Sequence, residues 1–284
     1  MRFETLGERQ NGAVLFFHAM GVTGESSEPV ARCLKERYFC ILPTSTVYCA
    51  GQKYTGKADE VRQVEDFLRN HGVTRLKLVA ASSIGADLAV AFLTQTALPV
   101  EHVFFDGGMV AQIYVQKYPE EIGGLILIST GGMDANTLKS LKRKYFLAPL
   151  MPWYMKRCNY EKLKPTRIKA DMSHIRNESA EEIAYAQDMF ETSFRGFSQE
   201  KDVHISGLLA DLMNQTPVTA ENFAALAGKI LLILPDRDFF SGKMQDDLKK
   251  LMHDPEVACV TVGNLSTAVK ADDYIRAIRA ILSR

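Results

Sequence analysis

The sequence predicts an α/β fold: a doubly wound, mostly parallel sheet with an inserted helical cap. Short apolar runs alternate with helical patterns up to about residue 134, and the same alternation returns after residue 228. Such alternation is typical of parallel β–α–β units. Between residues 135 and 227 no run has the character of a strand, and the helical patterns are rich in methionine, tyrosine and charge. We therefore predict a core built from residues 1–134 and 228–284, and a helical cap or lid at 135–227.

The elements of the core follow from their patterns. The predicted strands are apolar runs at residues 13–17, 38–42, 76–80, 103–105, 125–129, 229–234 and 257–262. Apolar residues at helical spacing predict helices at 28–36, 58–70, 86–94, 109–121 and 242–252. A last helix is predicted by apolar residues that share one face, namely Tyr274, Ile275, Ile278, Ile281 and Leu282.

Composition and charge narrow the function classes. The 284-residue chain has 34 Lys plus Arg and 34 Asp plus Glu, so no overall field favours nucleic acid, and a small-molecule substrate or ligand fits better. Five scattered cysteines without a Cys-x-x-Cys pair argue against a disulfide framework and a zinc site. No apolar run reaches the roughly 18 residues of a membrane span, and the charged N-terminus lacks a signal-peptide core. We expect a cytoplasmic protein without metal or organic cofactor, compatible with a homodimer.

The segment Ala81-Ser82-Ser83-Ile84-Gly85 lies between a predicted strand and a predicted helix. Small residues stand two positions before and two positions after Ser83, which is the spacing that a tight nucleophile-bearing turn requires. Ser82 fits less well, because Ile84 stands two positions after it. The alternative is an ordinary turn in which Ser83 caps the helix. We favour the nucleophile, with the backbone N–H of Ile84 as an oxyanion donor.

A second loop of small residues comes directly after the first predicted strand. It runs from His18 through Met20 and Gly21 to Gly24. Such a loop can direct backbone N–H groups at a developing negative charge, as an oxyanion hole does. Taken alone, it is more simply a glycine-bearing turn in which His18 packs. A dinucleotide site is disfavoured, because Gly-x-Gly-x-x-Gly does not occur there.

Together these segments resemble the α/β-hydrolase superfamily over nearly the whole chain. The resemblance is carried by HAMG after the first strand, ASSIG at the turn and LPDRD at the end of a late strand. It implies a sheet of α/β-hydrolase type in which Ser83 is the nucleophile and the backbones of Met20 and Ile84 form the oxyanion hole. It also implies that Asp238 is the acid, while Asp106 occupies an alternative acid position.

One member of the implied site is missing. The superfamily places its general base, a histidine, just after the last strand, where this chain has Asn264. An asparagine side chain cannot accept a proton near neutral pH and so cannot activate a serine. His174 and His204 in the predicted cap are the remaining candidates for a base, although such residues are more commonly surface or packing histidines.

The middle of the core contains a second segment with the pattern of a strand, a tight turn and a helix. Gly107-Gly108, a helical run and GGLILIST resemble the segment that these hydrolases carry directly after the nucleophile, which puts Phe105 in a second nucleophile position. Phenylalanine has no nucleophilic atom. An extra βα unit, a chain joined from two related pieces and a chance likeness of an amphipathic helix all account for this pattern.

Two functions are compatible with these observations. The first is a serine hydrolase, of esterase or acyl-hydrolase type, that acts on a small apolar substrate with an apparently incomplete triad. The second is a catalytically inactive hydrolase-fold protein that binds a ligand or a partner. Asn264 favours the second function, and the paired loops around Ser83 favour the first.

The predicted cap carries basic residues interleaved with aromatic ones. The basic residues are Lys139, Lys142, Arg143, Lys144, Lys156, Arg157, Lys162, Lys164, Arg167 and Lys169, and the aromatic residues are Tyr145, Phe146, Trp153, Tyr154 and Tyr160. One interpretation is a site for an acidic ligand, or an amphipathic patch that touches a membrane. We favour solvated helix faces, with the aromatic residues lining an apolar acyl pocket.

Overall fold

A computed structural model gives the architecture of the chain. It describes residues 1–19, 21–83, 85–106, 108–121, 124–128, 130–173, 179–195, 198–237, 242–253, 255–263, 275 and 279.

The described residues contain one mostly parallel sheet. Its strands are β1 (Arg2–Leu6), β2 (Gly12–Phe17), β3 (Tyr38–Thr44), β4 (Leu76–Ser82), β5 (Val100–Asp106), β6 (Leu125–Ile128), β7 (Ile230–Arg237) and β8 (Glu256–Gly263). Their order across the sheet is β1-β3-β2-β4-β5-β6-β7-β8. β1 pairs antiparallel with β3, and every other neighbouring pair is parallel. The loops after the parallel strands therefore meet at one carboxyl edge, where open α/β sheets bind ligands.

Helices flank the sheet and fill the stretch between β6 and β7. They are α1 (Glu28–Leu34), α2 (Lys57–Asn70), α3 (Gly85–Leu93), α4 (Met109–Lys117), α5 (Ala135–Lys144), α6 (Met151–Met155), α7 (Tyr160–Met172), α8 (Ala180–Arg195), α9 (Gln199–Leu212) and α10 (Gly242–Leu251). Within the described part of the chain, no helix combines the length and the apolar character needed to cross a membrane.

Apolar side chains cover both faces of the sheet. In β6, Leu125 and Leu127 pack in a cluster that includes residues of α2, α3 and α4. Ile126 and Ile128 point to the opposite face and join a cluster that includes residues of α1. A strand buried on both faces reads as a continuous apolar run, because both sets of alternating side chains leave water. The predicted α/β class, with a doubly wound and mostly parallel sheet, is confirmed.

The predicted strands all occur, and one strand was not predicted. β1 reads Arg-Phe-Glu-Thr-Leu, and each of its residues is exposed or only partly buried. It pairs only with β3 and forms an edge of the sheet. Because charged and polar residues separate its apolar ones, its sequence lacks the continuous apolar run of a central strand. Of the predicted last helix, Ile275 and Arg279 lie among the described residues, and Ile275 is buried.

The second strand–helix theme forms part of the sheet. β5 lies between β4 and β6 and is followed by α4. The position expected for a second nucleophile, Phe105, is wrong: it lies inside β5 and is fully buried. The turn of this unit comes after Asp106, close to Gly108. A Cβ on Gly108 would lie 2.4 Å from Leu127 Cδ2, so that turn packs tightly on β6.

The described residues between β6 and β7 form helices and short helical turns joined by loops, and we call residues 135–226 the helical segment. Its α8 packs over the loop after β2. Val22 and Tyr48 from the sheet side form one cluster with Met155, Phe190 and Phe194 from the helical segment. The helical segment thus covers part of the carboxyl edge of the sheet.

Candidate functional site

Ser83 occupies the turn between β4 and α3 in a strained backbone conformation. Its φ is 50°, a left-handed value that costs an L-residue about 1–2 kcal/mol. Its N–H donates to the carbonyl oxygen of Asp106 at the end of β5 (2.6 Å), and its own carbonyl accepts from the N–H of Ala86 (3.1 Å). The residue is exposed. Two hydrogen bonds thus stabilise a turn that presents the serine to solvent at the carboxyl edge.

Gly85 allows α3 to begin directly against the end of β2. A Cβ at this position would lie 2.3 Å from the carbonyl oxygen of His18 and 2.8 Å from that of Phe17. Both neighbours are backbone atoms, so no side chain fits without moving a strand end. The sequence pattern predicted a small residue two places after Ser83, and this close contact explains why one is needed there.

The loop after β2 is held by hydrogen bonds to its neighbours. Gly21 has a φ of 80°, and its N–H donates to the Tyr48 hydroxyl (2.9 Å). The N–H of Gly24 donates to Thr44 Oγ1 (3.0 Å). The Phe190 ring of α8 lies 3.5 Å from the point where a Gly21 Cβ would stand. The loop is thus fixed from β3 below and covered by the helical segment above.

His18 is a structural link in this loop. Its Nδ1 lies 2.8 Å from the Ala19 carbonyl oxygen, and its Nε2 accepts from the backbone N–H of Ser45 (3.0 Å). Burial lowers the pKa of His18 to about 4. The ring is therefore neutral near pH 7, with its proton on Nδ1. Because both ring nitrogens are engaged with backbone groups, His18 is not available as a general base.

A cavity of about 50 Å³ lies between the loop after β2, α2, the start of α3 and α9, and we call it the polar cavity. Lys57 and Asp87 form an ion pair across it (Nζ–Oδ1 2.7 Å). The His204 ring, from α9, lies 4.8 Å from the Tyr54 ring between centroids. Residues of both charge signs, an imidazole and a phenol therefore line one small cavity.

Burial sets the protonation states in the polar cavity. It lowers the pKa of His204, while the carboxylates of Asp87 and Glu60 act in the opposite direction. Burial also raises the pKa of Tyr54 to about 12, and the same two carboxylates add to that shift. His204 is thus a neutral imidazole near pH 7, in the form that accepts a proton.

Glu60 supports one wall of this cavity. It is buried, and its Oε1 accepts from Ser45 Oγ (2.7 Å), Thr46 N–H (2.6 Å) and Thr46 Oγ1 (2.6 Å). Three donors compensate the loss of water around a buried carboxylate. Glu60 thereby holds the segment after β3, whose Ser45 N–H in turn contacts His18.

The structure brings some of the predicted site residues together. Ser83 and Asp106 are joined through their backbones, since the N–H of Ser83 donates to the carbonyl of Asp106. His204 lines the polar cavity, which reaches α3 at Gly85, but Ser83 is not among the described residues that line it. The remaining predicted residues, Met20, Ile84, His174, Asp238 and Asn264, lie outside the described residues.

Sequence patterns did not indicate Tyr48, Glu60 or the Lys57–Asp87 pair. Each acts through a partner far along the chain: Tyr48 through Gly21, and Glu60 through Thr46. One local signal was available, because Glu60 stands at a core-facing position in α2 beside the apolar Val61 and Val64. A carboxylate on a buried helix face indicates a specific hydrogen-bonding role.

Four of the five aromatic residues interpreted as an acyl-pocket lining lie on the surface. Tyr145, Phe146, Trp153 and Tyr154 are exposed, whereas Tyr160 is buried. The interpretation of these four residues as an acyl-pocket lining is therefore wrong. In α6, Trp153 and Tyr154 are exposed because Met155 takes the buried face of that helix, whereas Tyr145 and Phe146 follow the end of α5.

The strand order, the strained serine turn and the helical segment define an α/β-hydrolase fold, and comparison with solved structures shows it. An esterase from Thermogutta terrifontis covers 99% of this chain and 92% of its own, with 16% identity and a TM-score of 0.61. A hydrolase from Pseudomonas aeruginosa covers 99% and 94%, with 11% identity and a TM-score of 0.62. An epoxide hydrolase from Vigna radiata covers the same shares, with 14% identity and a TM-score of 0.59. No protein-family model and no curated protein sequence matches the chain.

Proposed function

We propose that the protein is a serine hydrolase of the esterase or acyl-hydrolase type, acting on a small apolar substrate through Ser83. The observation that carries the proposal is the backbone of Ser83, whose φ of 50° is stabilised by specific hydrogen bonds. Residues strained in this way persist where the surroundings enforce them, which is typical of functional sites. The fold supports the same function, because a strained serine after a strand is the nucleophile position of α/β-hydrolases.

In the proposed reaction, the Ser83 hydroxyl oxygen attacks the carbonyl carbon of the substrate. The hydroxyl proton passes to an imidazole, and the backbone N–H groups of Met20 and Ile84 stabilise the negative charge on the carbonyl oxygen. The same imidazole then protonates the leaving alcohol, and an acyl-enzyme remains for water to hydrolyse. Asp238 is assigned the orienting role, with Asp106 as its alternative.

We assign the role of base to His204, with His174 as the alternative. His204 is a neutral imidazole near pH 7, because burial lowers its pKa. The polar cavity that it lines extends to Gly85, two residues after Ser83. Protonation of His204 on acidification removes the proton acceptor, so the rate should fall at a pH below the ordinary imidazole value of 6.5.

We further propose that residues 135–227 act as a cap over this site. The contact of Phe190 and Phe194 with the loop at Gly21 supports that role. A cap that covers the oxyanion loop excludes water and gives an apolar wall to a bound acyl group.

The test is labelling with a fluorophosphonate, which modifies activated serines. Intact mass should show one adduct on the wild-type protein and on Ser82→Ala, and none on Ser83→Ala. Ser82 is the matched control, because it neighbours Ser83 but lies in β4 with ordinary strand geometry. In His204→Gln the labelling rate should fall by about 10²–10⁴, the usual contribution of a general base. Labelling of Ser82 in place of Ser83 would refute the assignment.

The second candidate is an inactive hydrolase-fold protein that binds a small ligand, which Asn264 favours. Under this alternative the wild-type protein is not labelled and hydrolyses no p-nitrophenyl ester. Asn264→His then distinguishes the two cases: labelling gained only in this variant means that the rest of the site is intact and only the base is lost. Ester turnover by the wild-type protein that disappears in Ser83→Ala eliminates the second candidate.

A further inference from the structure

The outer surface of the helical segment carries a continuous apolar stretch, which we call the aromatic patch. It lies between the end of α5 and the end of α6, and its exposed large residues are Tyr145, Phe146, Leu147, Leu150, Met151, Trp153 and Tyr154. Phe146 is 70% exposed and Trp153 is 59% exposed. Apolar side chains gathered in this way, rather than scattered singly, mark a surface that contacts something else.

The aromatic patch stands on a fixed base. Leu138 and Leu141 in α5 and Met155 in α6 are buried beneath it. Gln199 of α9 donates to the carbonyl oxygens of Met155 (2.5 Å) and Cys158 (3.3 Å). The inward faces of these helices are thus occupied, so the outward aromatic residues have no core position to which they could turn.

Basic residues flank the aromatic patch on both sides along the chain. The exposed basic residues that flank it are Lys139, Lys142, Arg143, Lys144, Lys156 and Arg157. No acidic residue occurs between Asp134 and Glu161, although acidic and basic residues balance over the whole chain. The Arg157 guanidinium lies 4.6 Å from the centre of the Trp153 ring, and Lys144 Nζ lies 5.4 Å from that of Tyr145. Cation and ring are therefore presented side by side on one surface.

We propose that the aromatic patch docks the protein on the surface of a membrane that contains anionic lipids. Aromatic and long aliphatic side chains insert at the boundary between headgroups and acyl chains, and flanking Lys and Arg bind anionic headgroups. Charge complementarity selects this occupant. A second copy of the chain would bring two sets of six basic residues together across a symmetric interface, where like charges repel. This inference does not depend on Ser83 or on any catalytic activity.

The chain contains a built-in reporter, because Trp153 is its only tryptophan. The experiment adds vesicles of phosphatidylcholine, with and without phosphatidylserine, to the 284-residue chain. Vesicles with phosphatidylserine should shift the Trp153 emission to shorter wavelength and carry the protein into the pellet. Raising the salt from 0.1 M to about 1 M should reverse binding, because the Debye length falls from about 10 Å to about 3 Å.

Two double variants test whether the location of the positive charges matters for membrane binding. Lys142→Gln/Arg143→Gln removes two charges beside the aromatic patch. Lys35→Gln/Arg37→Gln removes two exposed charges just before β3, at the amino edge of the sheet, opposite the helical segment. The first pair should weaken the partition onto phosphatidylserine vesicles by on the order of tenfold or more, and the second should leave it unchanged. Thermal unfolding of each variant checks that it is folded.

A third variant removes the apolar contribution and keeps every charge. Phe146→Ser/Leu150→Ser should abolish the emission shift, while Trp153 remains as the reporter. Three results would overturn the proposal. The protein could bind equally well to vesicles with and without phosphatidylserine, or bind neither kind. Alternatively, both charge variants could lose the same amount of vesicle binding. A concentration-dependent dimer in sedimentation that shifts Trp153 emission without lipid and is lost in Phe146→Ser/Leu150→Ser would overturn the proposal as well, because it would assign the patch to a second copy.

Discussion

Ser83 combines a strained backbone with an exposed position, and the strain should be measurable. In Ser83→Gly the left-handed φ of 50° no longer carries its cost of about 1–2 kcal/mol. The more flexible glycine stabilises the unfolded chain by about 0.4–1 kcal/mol. The first effect is larger, so the free energy of unfolding should rise by about 0.5–1 kcal/mol, as measured by urea titration.

The control for this prediction is Ser82→Gly. Ser82 lies in β4 and pairs with Asp106, so its extended backbone contains no strain that glycine could relieve. This variant should lose about 0.5–1 kcal/mol of stability. Destabilisation of equal size in both variants would mean that the turn at Ser83 is not strained.

The position of Ser83 was predictable from the sequence because its determinants are local. A strand, two small flanking residues and a helix stand next to one another in the chain. The partners that hold the turn are remote: the Asp106 carbonyl comes from the next strand, and His18 meets Gly85 across the sheet edge. The spacing of residues in the sequence does not predict such contacts. They arise only when β2, β4 and β5 pair in register.

At the scale of the element, the start of α3 depends on its contact with the end of β2. In Gly85→Ala the added methyl group would lie 2.3 Å from the carbonyl oxygen of His18, a backbone atom that can move only with its strand. Overpacking of this kind costs about 1–3 kcal/mol. We expect a loss of stability in that range, together with loss of fluorophosphonate labelling at Ser83.

Gly207 in α9 provides the matched control. It is a helical glycine, and among the described residues no neighbouring atom lies within 4 Å of the point that its Cβ would occupy, so a methyl group meets open space there. Gly207→Ala should raise the free energy of unfolding by about 0.8–1 kcal/mol, the difference in helix propensity between the two residues. In urea titrations, the two Gly→Ala variants should change the free energy of unfolding in opposite directions. A change in the same direction would contradict the close contact at Gly85.

The helical segment shows why sequence patterns predict where helices occur better than they predict which side of each helix is buried. Apolar and aromatic residues at helical spacing predicted helices correctly, yet both sets could have packed inward. In the structure Leu141 and Met155 do so, whereas Phe146 and Trp153 face outward. For α6 the neighbouring α9 contributes to this choice, since Gln199 donates to the carbonyl oxygen of Met155. The outward aromatic residues are consequently an observation of the structure alone.

At the scale of the whole molecule, the continuous apolar runs were sufficient to predict a doubly wound sheet. They did not predict the order of the strands or the edge strand β1, because pairing partners are set by packing rather than by pattern. The same holds for the second strand–helix unit, where the likeness placed the turn at Phe105. The strand continues one residue further, since Asp106 still pairs with both Ser82 and Ile128.

Buried ionisable groups connect these local contacts to the stability of the whole fold. His18 is neutral in the folded protein, with a pKa of about 4, whereas 6.5 is its ordinary value in an unfolded chain. Below pH 6.5, His18 therefore becomes protonated in the unfolded chain but stays neutral in the folded protein. The free energy of unfolding falls as the pH drops from 6.5 to 4. The full difference corresponds to roughly 3 kcal/mol at 1.36 kcal/mol for each pKa unit.

His18→Gln separates this linkage from the other titrating groups. Glutamine cannot take up a proton in this range, so the variant should be less stable at pH 7 but lose roughly 3 kcal/mol less than the wild type between pH 6.5 and 4. The measurement is the free energy of unfolding by urea at several pH values, with the difference between the two proteins plotted against pH. Parallel curves would show that His18 is protonated equally in both states. They would contradict its burial between the Ala19 carbonyl and the Ser45 N–H.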